Sequence, residues 1–380
     1  MRTLNLAFLA LLTTALGCGS DDSDGGGGSG GSSGGAAGSS GSSGSGGQGA
    51  SAGSGGGAGA SGGQGGVSGS GGSSGSSGSG GQGGAAGAPD MLSQTGLYTD
   101  IVKGSLGPGV REYTPQFVLW TDGATKKRWV YLPTGQKIDT SDMDFWVYPV
   151  GTKLWKEFTR DGKRIETRLL VKTGSPDQWD MVAYEWKSDQ SDALKVPAGV
   201  QNAGGTNHDI PSAFDCETCH AKMKDRGLSF TAIQLSHTGA KVSLDDLVSE
   251  GRLTNPPAAP LTLPGSATDR AALGYLHANC GVCHNPQSFV YSIVDMQLWL
   301  DSSKLSSVTG TSTYTSTANK TLTSSNPSTG TARIVPGKSA ESDLWIRMGQ
   351  RGTLTQMPPL GTEDVDTTGH DAVKAWIDSL

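Results

Sequence analysis

The chain has 380 residues, 60 of them glycine and five of them cysteine, and a formal net charge of −6. This acidic balance gives no support for binding to nucleic acid, which needs a basic surface. No stretch after the N-terminal segment approaches 18 apolar residues, so the sequence predicts no transmembrane helix beyond that segment.

Residues 1–18 have the pattern of a bacterial secretory signal. Arg2 precedes an apolar run of about nine residues, which is too short to span a bilayer and ends in small residues. The end of this segment, Ala15-Leu16-Gly17-Cys18, resembles a lipobox, although Ala15 stands where leucine is usual. We expect lipidation at Cys18 and a chain anchored to a bacterial membrane, facing the periplasm or the cell surface. Ordinary signal cleavage beside an unrelated cysteine is the alternative.

Residues 19–88 are almost wholly Gly, Ser and Ala. Such a segment has too little apolar surface to offset the entropy lost on ordering, so it is predicted to be a disordered tether. A long tether behind a lipid anchor would let a folded head search the space above the membrane.

Residues 89–200 are predicted to form a β-domain. Short runs of β-forming residues recur, and Asp161-Gly162 between two of them is a strong hairpin signal. We expect an antiparallel sandwich or barrel with strands in FVLW, KRWVYL, FWVYP, KLWKEF, RIETRLLV and MVAYEW. Six tryptophans of this region are predicted to fill its core, the alternative being an exposed platform for sugars: Trp120, Trp129, Trp146, Trp155, Trp179 and Trp186.

Four of the five cysteines form two C-x-x-C pairs, and each pair is followed by a histidine. The first, CETCH, contains Cys216, Cys219 and His220, and lies in a predicted first haem-binding segment, residues 201–262. The second, CGVCH, contains Cys280, Cys283 and His284, and lies in residues 263–380. C-x-x-C-H is the pattern of c-type haem attachment, in which the histidine ligates the iron, so we expect two covalently bound haems.

Zinc and thiol–disulfide exchange are the competing interpretations of these cysteines. A zinc ribbon separates its pairs by 15 to 20 residues, whereas about 60 separate these, and zinc does not explain a histidine after both pairs. Thiol exchange needs a thioredoxin-like βαβ context, and the sequence has none.

The sequence offers several candidates for the ligand on the other face of the first haem. His208 precedes the motif, and Pro211 forces extended chain between them, so His208 is the first candidate. An open or water-ligated iron is the next alternative. Met223 is too close in sequence to His220 to cross the haem, while His237 and Met348 are more distant candidates.

The second motif is flanked by two predicted helices. Residues 268–278 are predicted to form a helix that ends just before Cys280, and residues 366–380 are predicted to form a C-terminal helix. A Ser- and Thr-rich stretch between them, residues 305–331, is predicted to be an inserted surface loop. The residues predicted for the two inner faces are Ala271, Leu273, Leu276 and Ala278, followed by Val373, Ala375, Trp376 and Leu380.

This order of helix, CxxCH, methionine loop and closing helix resembles a class I cytochrome c domain over residues 265–380. The resemblance makes His284 the proximal ligand and Met357, in QMPP, the distal one. Independently, the prolines after Met357 stiffen its loop, and a thioether is a soft ligand that raises the iron's potential.

Residues 110–380 as a whole resemble a family of bacterial dihaem c-type cytochrome lipoproteins. Some members of this family are joined to quinoprotein sugar dehydrogenases, which implies electron relay from a periplasmic dehydrogenase that here must be a separate chain. The motifs that carry the resemblance are LWTDGATKKRW, PVGTKLWKEF, ETRLL, HDIPSAFDCETCH, AALGYLHANCGVCHN and QMPPLGTEDVD.

The sequence therefore predicts an α+β protein in which an antiparallel β sandwich or barrel is followed by a mainly helical, cytochrome c-like haem region. The predicted function is transfer of single electrons between periplasmic redox partners, and an electron-transfer protein is favoured over an enzyme. A dihaem peroxidase-like enzyme with an open iron face is the first alternative, and a tethered carbohydrate-binding protein is the second.

Overall fold

The computed structural model describes residues 87–322 and 330–380. The predicted signal segment with Cys18, almost all of the predicted tether, and residues 323–329 of the Ser- and Thr-rich stretch lie outside this description. Among the residues it describes, no helix is both long and apolar enough to cross a membrane.

The chain is an α+β protein built around one antiparallel sheet of six strands in chain order. A separate two-stranded ribbon, β1 (Tyr98–Asp100) and β2 (Ser105–Leu106), precedes it. The strands of the main sheet are β3 (Val110–Tyr113), β4 (Thr125–Tyr131), β5 (Lys153–Arg160), β6 (Lys163–Gly174), β7 (Gln178–Trp186) and β8 (Ala193–Lys195).

Four of the six predicted strand runs are confirmed, in β4 to β7, and two are wrong. Residues 117–120 form no strand, because side chains occupy their backbone groups: Asn279 Oδ1 accepts from Trp120 N at 2.7 Å. Residues 145–149 contribute only an isolated bridge, in which Val147 pairs with Asp139. The predicted Asp161-Gly162 hairpin joins β5 to β6, and both residues have the positive φ angles, 49° and 74°, of a tight primed turn.

The sheet has a different packing partner on each face: helical segments cover one face, and the N-terminal segment with its short β1–β2 ribbon covers the other. One cross-strand row, Val130, Leu154, Leu170 and Met181, packs with Cys216 and the helical segments that follow it. The next row, Trp129, Trp155, Leu169 and Val182, packs on the opposite side against the N-terminal segment around Leu92 and Leu97. The helices thus share the core of the sheet, and strands β3 and β8 remain at its two ends.

The tryptophans of this region fill the core, as predicted. Five of the six are buried, with exposed fractions from 1% to 8%, and Trp120 is half-buried. A platform for sugar stacking needs these rings exposed on one face, and that condition is not met.

Eight α-helices lie within the described residues. They are α1 (Ala213–His220), α2 (Ala232–Leu235), α3 (Leu244–Ser249), α4 (Ala267–Asn279), α5 (Phe289–Val294), α6 (Ser312–Thr317), α7 (Asp343–Met348) and α8 (Thr367–Ser379). Short 3-10 turns lie at Leu92–Gln94, Ala203–Gly205, Ser302–Lys304, Val308–Gly310 and Ser339–Glu341. Helix α6 corrects the prediction of a plain surface loop, because its Ser312, Thr313 and Thr317 are buried.

Both predicted helices around the second motif are confirmed, as α4 and α8, and they pack against each other. A capping box between Ser266 and Asp269 starts α4. The inner faces differ from the prediction at single positions, since Ala271 and Ala375 are exposed while Ala272 and Ile377 are buried. Burial of Leu273, Leu276, Ala278, Val373 and Trp376 is as predicted, and Leu380 is half-buried.

Candidate functional site

Helix α1 presents the first CxxCH motif and ends on its histidine. A capping box between Ser212 and Asp215 fixes the start of the helix at Ala213, three residues before Cys216. Beyond the helix the chain turns back, and His220 Nδ1 lies 2.6 Å from the carbonyl oxygen of Arg226. With Nδ1–H donating to that carbonyl, Nε2 is the nitrogen left with a lone pair.

Asp225 fastens this turn to the sheet. Its carboxylate pairs with Lys172 of β6, accepts from Trp179 Nε1 at 2.9 Å, and accepts from the backbone N–H of Tyr148 at 2.6 Å. The neighbouring Arg226 pairs with Glu217 on α1. The acceptor of the His220 hydrogen bond is therefore held by buried contacts.

The second CxxCH motif follows directly from helix α4. Gly281 is needed there, because a Cβ on it would come within 2.5 Å of the His277 carbonyl oxygen. The backbone carbonyl of His284 accepts from Leu298 N at 2.8 Å and from Trp299 N at 3.2 Å. The ring of His284 is buried, and its Nδ1 has no hydrogen-bond partner within the described part of the chain.

The two motifs lie side by side, which the sequence did not reveal. Asn285 is fully buried and its Nδ2 reaches Gly281 O at 3.0 Å in its own loop and Lys222 O at 3.4 Å in the other. The Cys219 thiol is close enough to raise the pKa of Cys283, although burial is the larger cause. Met223 fills the contact, packing with Phe145, Val282 and Trp299.

Both motif histidines are neutral imidazoles at neutral pH. Burial lowers the pKa of His220 to about 4 and that of His284 to about 4, in the latter case with help from the positive charge of Arg333. A neutral imidazole is the form that ligates a metal.

All four thiols have raised pKa values because they are buried. The pKa of Cys280 rises to about 12 and that of Cys283 to about 11, while Cys216 and Cys219 also lie above the ordinary value. Thiol–disulfide exchange requires the opposite shift, a lowered pKa that yields thiolate. The described cysteines form no disulfide. A structural zinc site requires four converging ligands, and among the described residues no three His, Cys, Asp or Glu side chains are grouped to hold a metal.

His208 lies on the same side of the sheet as the first motif but is bound to a carboxylate. Its Nε2 is 2.7 Å from Glu166 Oε2, and its ring packs against Phe158 at 5.1 Å between centroids. Glu166 also pairs with Arg168, whose charge acts on both Cys216 and Cys219. The predicted sixth ligand therefore has one ring nitrogen already engaged.

The remaining predicted ligands are spread over the second half of the chain. Met357 is half-buried, and its backbone N–H donates to Arg347 O at 3.0 Å. Met348 is 6% exposed and belongs to the core between α4 and α8. His237 is half-buried, and its Nε2 lies 2.8 Å from the carbonyl oxygen of Thr114.

Sequence reasoning missed His277, a buried histidine of α4. Its Nδ1 accepts from Leu300 N at 3.1 Å, its ring lies 4.1 Å from that of Trp299, and burial lowers its pKa to about 3. Nε2 then carries the proton and finds no partner among the described atoms. Its position one turn before Cys280 is the only sequence signal that could have drawn attention to it.

No protein-family model, no curated protein and no solved structure matches this chain.

Proposed function

We propose that this protein is a membrane-tethered dihaem cytochrome c that relays single electrons between periplasmic redox partners. One haem is attached through Cys216 and Cys219 with His220 on its iron, and the other through Cys280 and Cys283 with His284 on its iron. Haem iron supplies a one-electron couple, and the protein tunes it through the axial ligands, hydrogen bonds and burial.

The observation that carries this proposal is the packing of the two motifs against each other. Asn285 hydrogen-bonds in both loops, and Met223 beyond the first motif packs against Val282 of the second. Two groups attached at these cysteines would lie in one buried region, which favours passage of an electron between them. A protein that used each motif for a separate purpose would not need this contact.

The surroundings of His220 fit an axial ligand. Metal-bound histidines commonly donate their other ring N–H to a backbone carbonyl or carboxylate, which fixes the orientation of the ring. His220 makes such a bond to Arg226 O, and Asp225 holds that turn from the buried side. The contacts that orient the ring are thus present in the protein itself.

We assign the cytochrome c-like arrangement to residues 263–380, with Met357 as the distal ligand of the second haem. The mutual packing of α4 and α8 supports it. His208 remains our candidate for the second protein ligand of the first haem. Ligation through Nε2 would require His208 to give up its hydrogen bond with Glu166, whereas ligation through Nδ1 would leave that bond in place. The N-terminal anchor at Cys18 and a separate quinoprotein sugar dehydrogenase as electron donor complete the proposal.

The direct test is the haem content of the protein produced in a bacterium that matures c-type cytochromes. We expect two haems per chain by pyridine haemochrome assay and intact mass, and one haem in each of the variants Cys219→Ala and Cys283→Ala. Glu217→Gln, which alters the first motif without removing a thiol, should keep both haems. A wild-type chain that binds no haem covalently, or that instead retains zinc, would refute the proposal.

The His208–Glu166 pair favours one alternative, a peroxidase-like enzyme with an open first iron. A buried histidine held by a carboxylate is a suitable acid–base pair for substrate on a haem. In that case the oxidised protein shows a high-spin ferric signal that changes when peroxide is added. A wholly low-spin spectrum that changes in His208→Ala supports the relay, and one that stays unchanged in that variant excludes His208 as the ligand.

A further inference from the structure

Three cations lie directly opposite one another on the sheet face that carries the first motif. In the strand register, Arg128 of β4 lies directly opposite Lys156 of β5, and Lys156 lies directly opposite Arg168 of β6. These residues alternate with the apolar row Val130, Leu154 and Leu170, whose side chains pack with Cys216. Arg128, Lys156 and Arg168, the cation row, therefore face the first motif.

The positive charge of this row is not neutralised by the described residues. Like charges directly opposite each other in a sheet repel, and burial increases the cost. Arg168 pairs with Glu166, but Arg128 is 3% exposed and its Nε has no partner among the described atoms. The Lys156 ammonium has no ion pair with any described residue and lies 4.8 Å from the centre of the Phe158 ring.

The pKa shifts reflect the same imbalance. Burial, and then Arg128 and Arg168, hold the pKa of Lys156 well below its usual value. Burial likewise lowers the pKa of Arg128. The three cations of the row and the single carboxylate of Glu166 leave this face with net positive charge, to which Lys126 of β4 adds.

The row is also close to the attachment point of the first motif. Arg168 acts electrostatically on Cys216 and Cys219, and Lys156 acts on Cys219 and His220. Near His284 the cation is Arg333, and its guanidinium, unlike the Lys156 ammonium, has protein acceptors: it donates to the backbone carbonyls of Val294, Asp295 and Ser316.

We propose that Arg128, Lys156 and Arg168 bind the two propionate carboxylates of the first haem, an inference that rests on the function proposed above. A haem carries two carboxylates on one edge, which matches the charge that the row lacks. Guanidinium groups bind carboxylates through parallel N–H bonds, and an ammonium adds a point charge. The sheet thus acts as the binding surface for the polar edge of a group whose thioether side is held by α1.

The test uses the full-length dihaem protein and the variants Lys156→Gln and Lys156→Arg. Lys127→Gln is the matched control, because Lys127 is an exposed cation on the other face of the same β4 strand as Arg128. Redox titration gives the midpoint potential of each haem, and resonance Raman spectra report the bending bands of the propionates. Haem content and circular dichroism are recorded for every variant.

We expect Lys156→Gln to lower the potential of one haem and to shift a propionate band of that haem, because loss of a nearby cation favours ferric iron. Lys156→Arg should keep the potential and shift only the band, and Lys127→Gln should change neither. Should Lys156→Gln fail to fold, the Lys156→Arg spectrum decides. If the Lys156 variants bind two haems and their propionate bands are unchanged, the propionate assignment is wrong while the proposed function stands. The same holds if added inorganic phosphate changes the potential and the propionate bands stay fixed, because the row then binds a free anion. Absence of haem from the wild-type protein overturns the proposed function instead.

Discussion

The buried ion pair between Lys172 and Asp225 provides a strong test of how the first motif is held. The two side chains are 1% and 0% exposed. Burial raises the pKa of Asp225 even though Lys172, Trp179 Nε1 and Tyr148 N all stabilise its carboxylate. These contacts therefore do not fully offset the desolvation of the Asp225 carboxylate.

The variant Asp225→Asn keeps the shape of the side chain and leaves Lys172 buried without an opposing charge. Removing one partner of a buried pair costs about 3–5 kcal/mol, and we expect about 3 kcal/mol here because Lys172 Nζ also contacts Pro176 O at 2.6 Å. The double variant Lys172→Met/Asp225→Asn removes both charges. It should be less destabilised than the sum of the two single variants by about 1–3 kcal/mol.

Urea unfolding followed by tryptophan fluorescence measures these free energies in the purified full-length protein. Lys374→Met is the control, because its pair with Asp378 is exposed by 48% and 35% and should contribute less than about 1 kcal/mol. A loss below about 0.5 kcal/mol for Asp225→Asn, or strict additivity in the cycle, would show that the pair is not a coupled buried unit.

Three further predictions concern other parts of the fold. Burial raises the pKa of Asp144 to about 6, so the folded state binds this proton more tightly than the unfolded chain does. The free energy of unfolding should therefore fall as pH rises from about 4 to 6. In urea unfolding, Asp144→Asn should remove about 1–2 kcal/mol of that fall, after allowance for the partial exposure of the side chain. A Cβ on Gly369 would clash with the Tyr275 ring between α8 and α4, so Gly369→Ala should cost about 1–3 kcal/mol, and an unchanged thermal midpoint would contradict this packing. Met357→Leu should lower the midpoint potential of one haem, because it removes the proposed thioether ligand, whereas Met348→Leu changes a residue of the buried core and should leave both potentials unchanged. The reverse result would identify Met348 as the ligand instead.

Local signals in the sequence were enough for several elements. Asp161-Gly162 determines a primed turn because its backbone tolerates positive φ, and Ser266 with Asp269 starts α4 through neighbouring hydrogen bonds. The hydrophobic period of α8 likewise placed Val373 and Trp376 in the core. In each case the deciding interactions lie within a few residues along the chain.

The arrangement of the site depended on tertiary structure. Residues 117–120 read as a strand, yet partners distant in sequence, such as Asn279, occupy their backbone groups. The engagement of His208 by Glu166, the contact between the two motifs and the alignment of the cation row all join segments far apart in the chain. The spacing of the cysteines and histidines by itself predicted the haem chemistry. Which charges and hydrogen bonds surround the two motifs is decided by strand register and helix packing, because those bring distant side chains into contact.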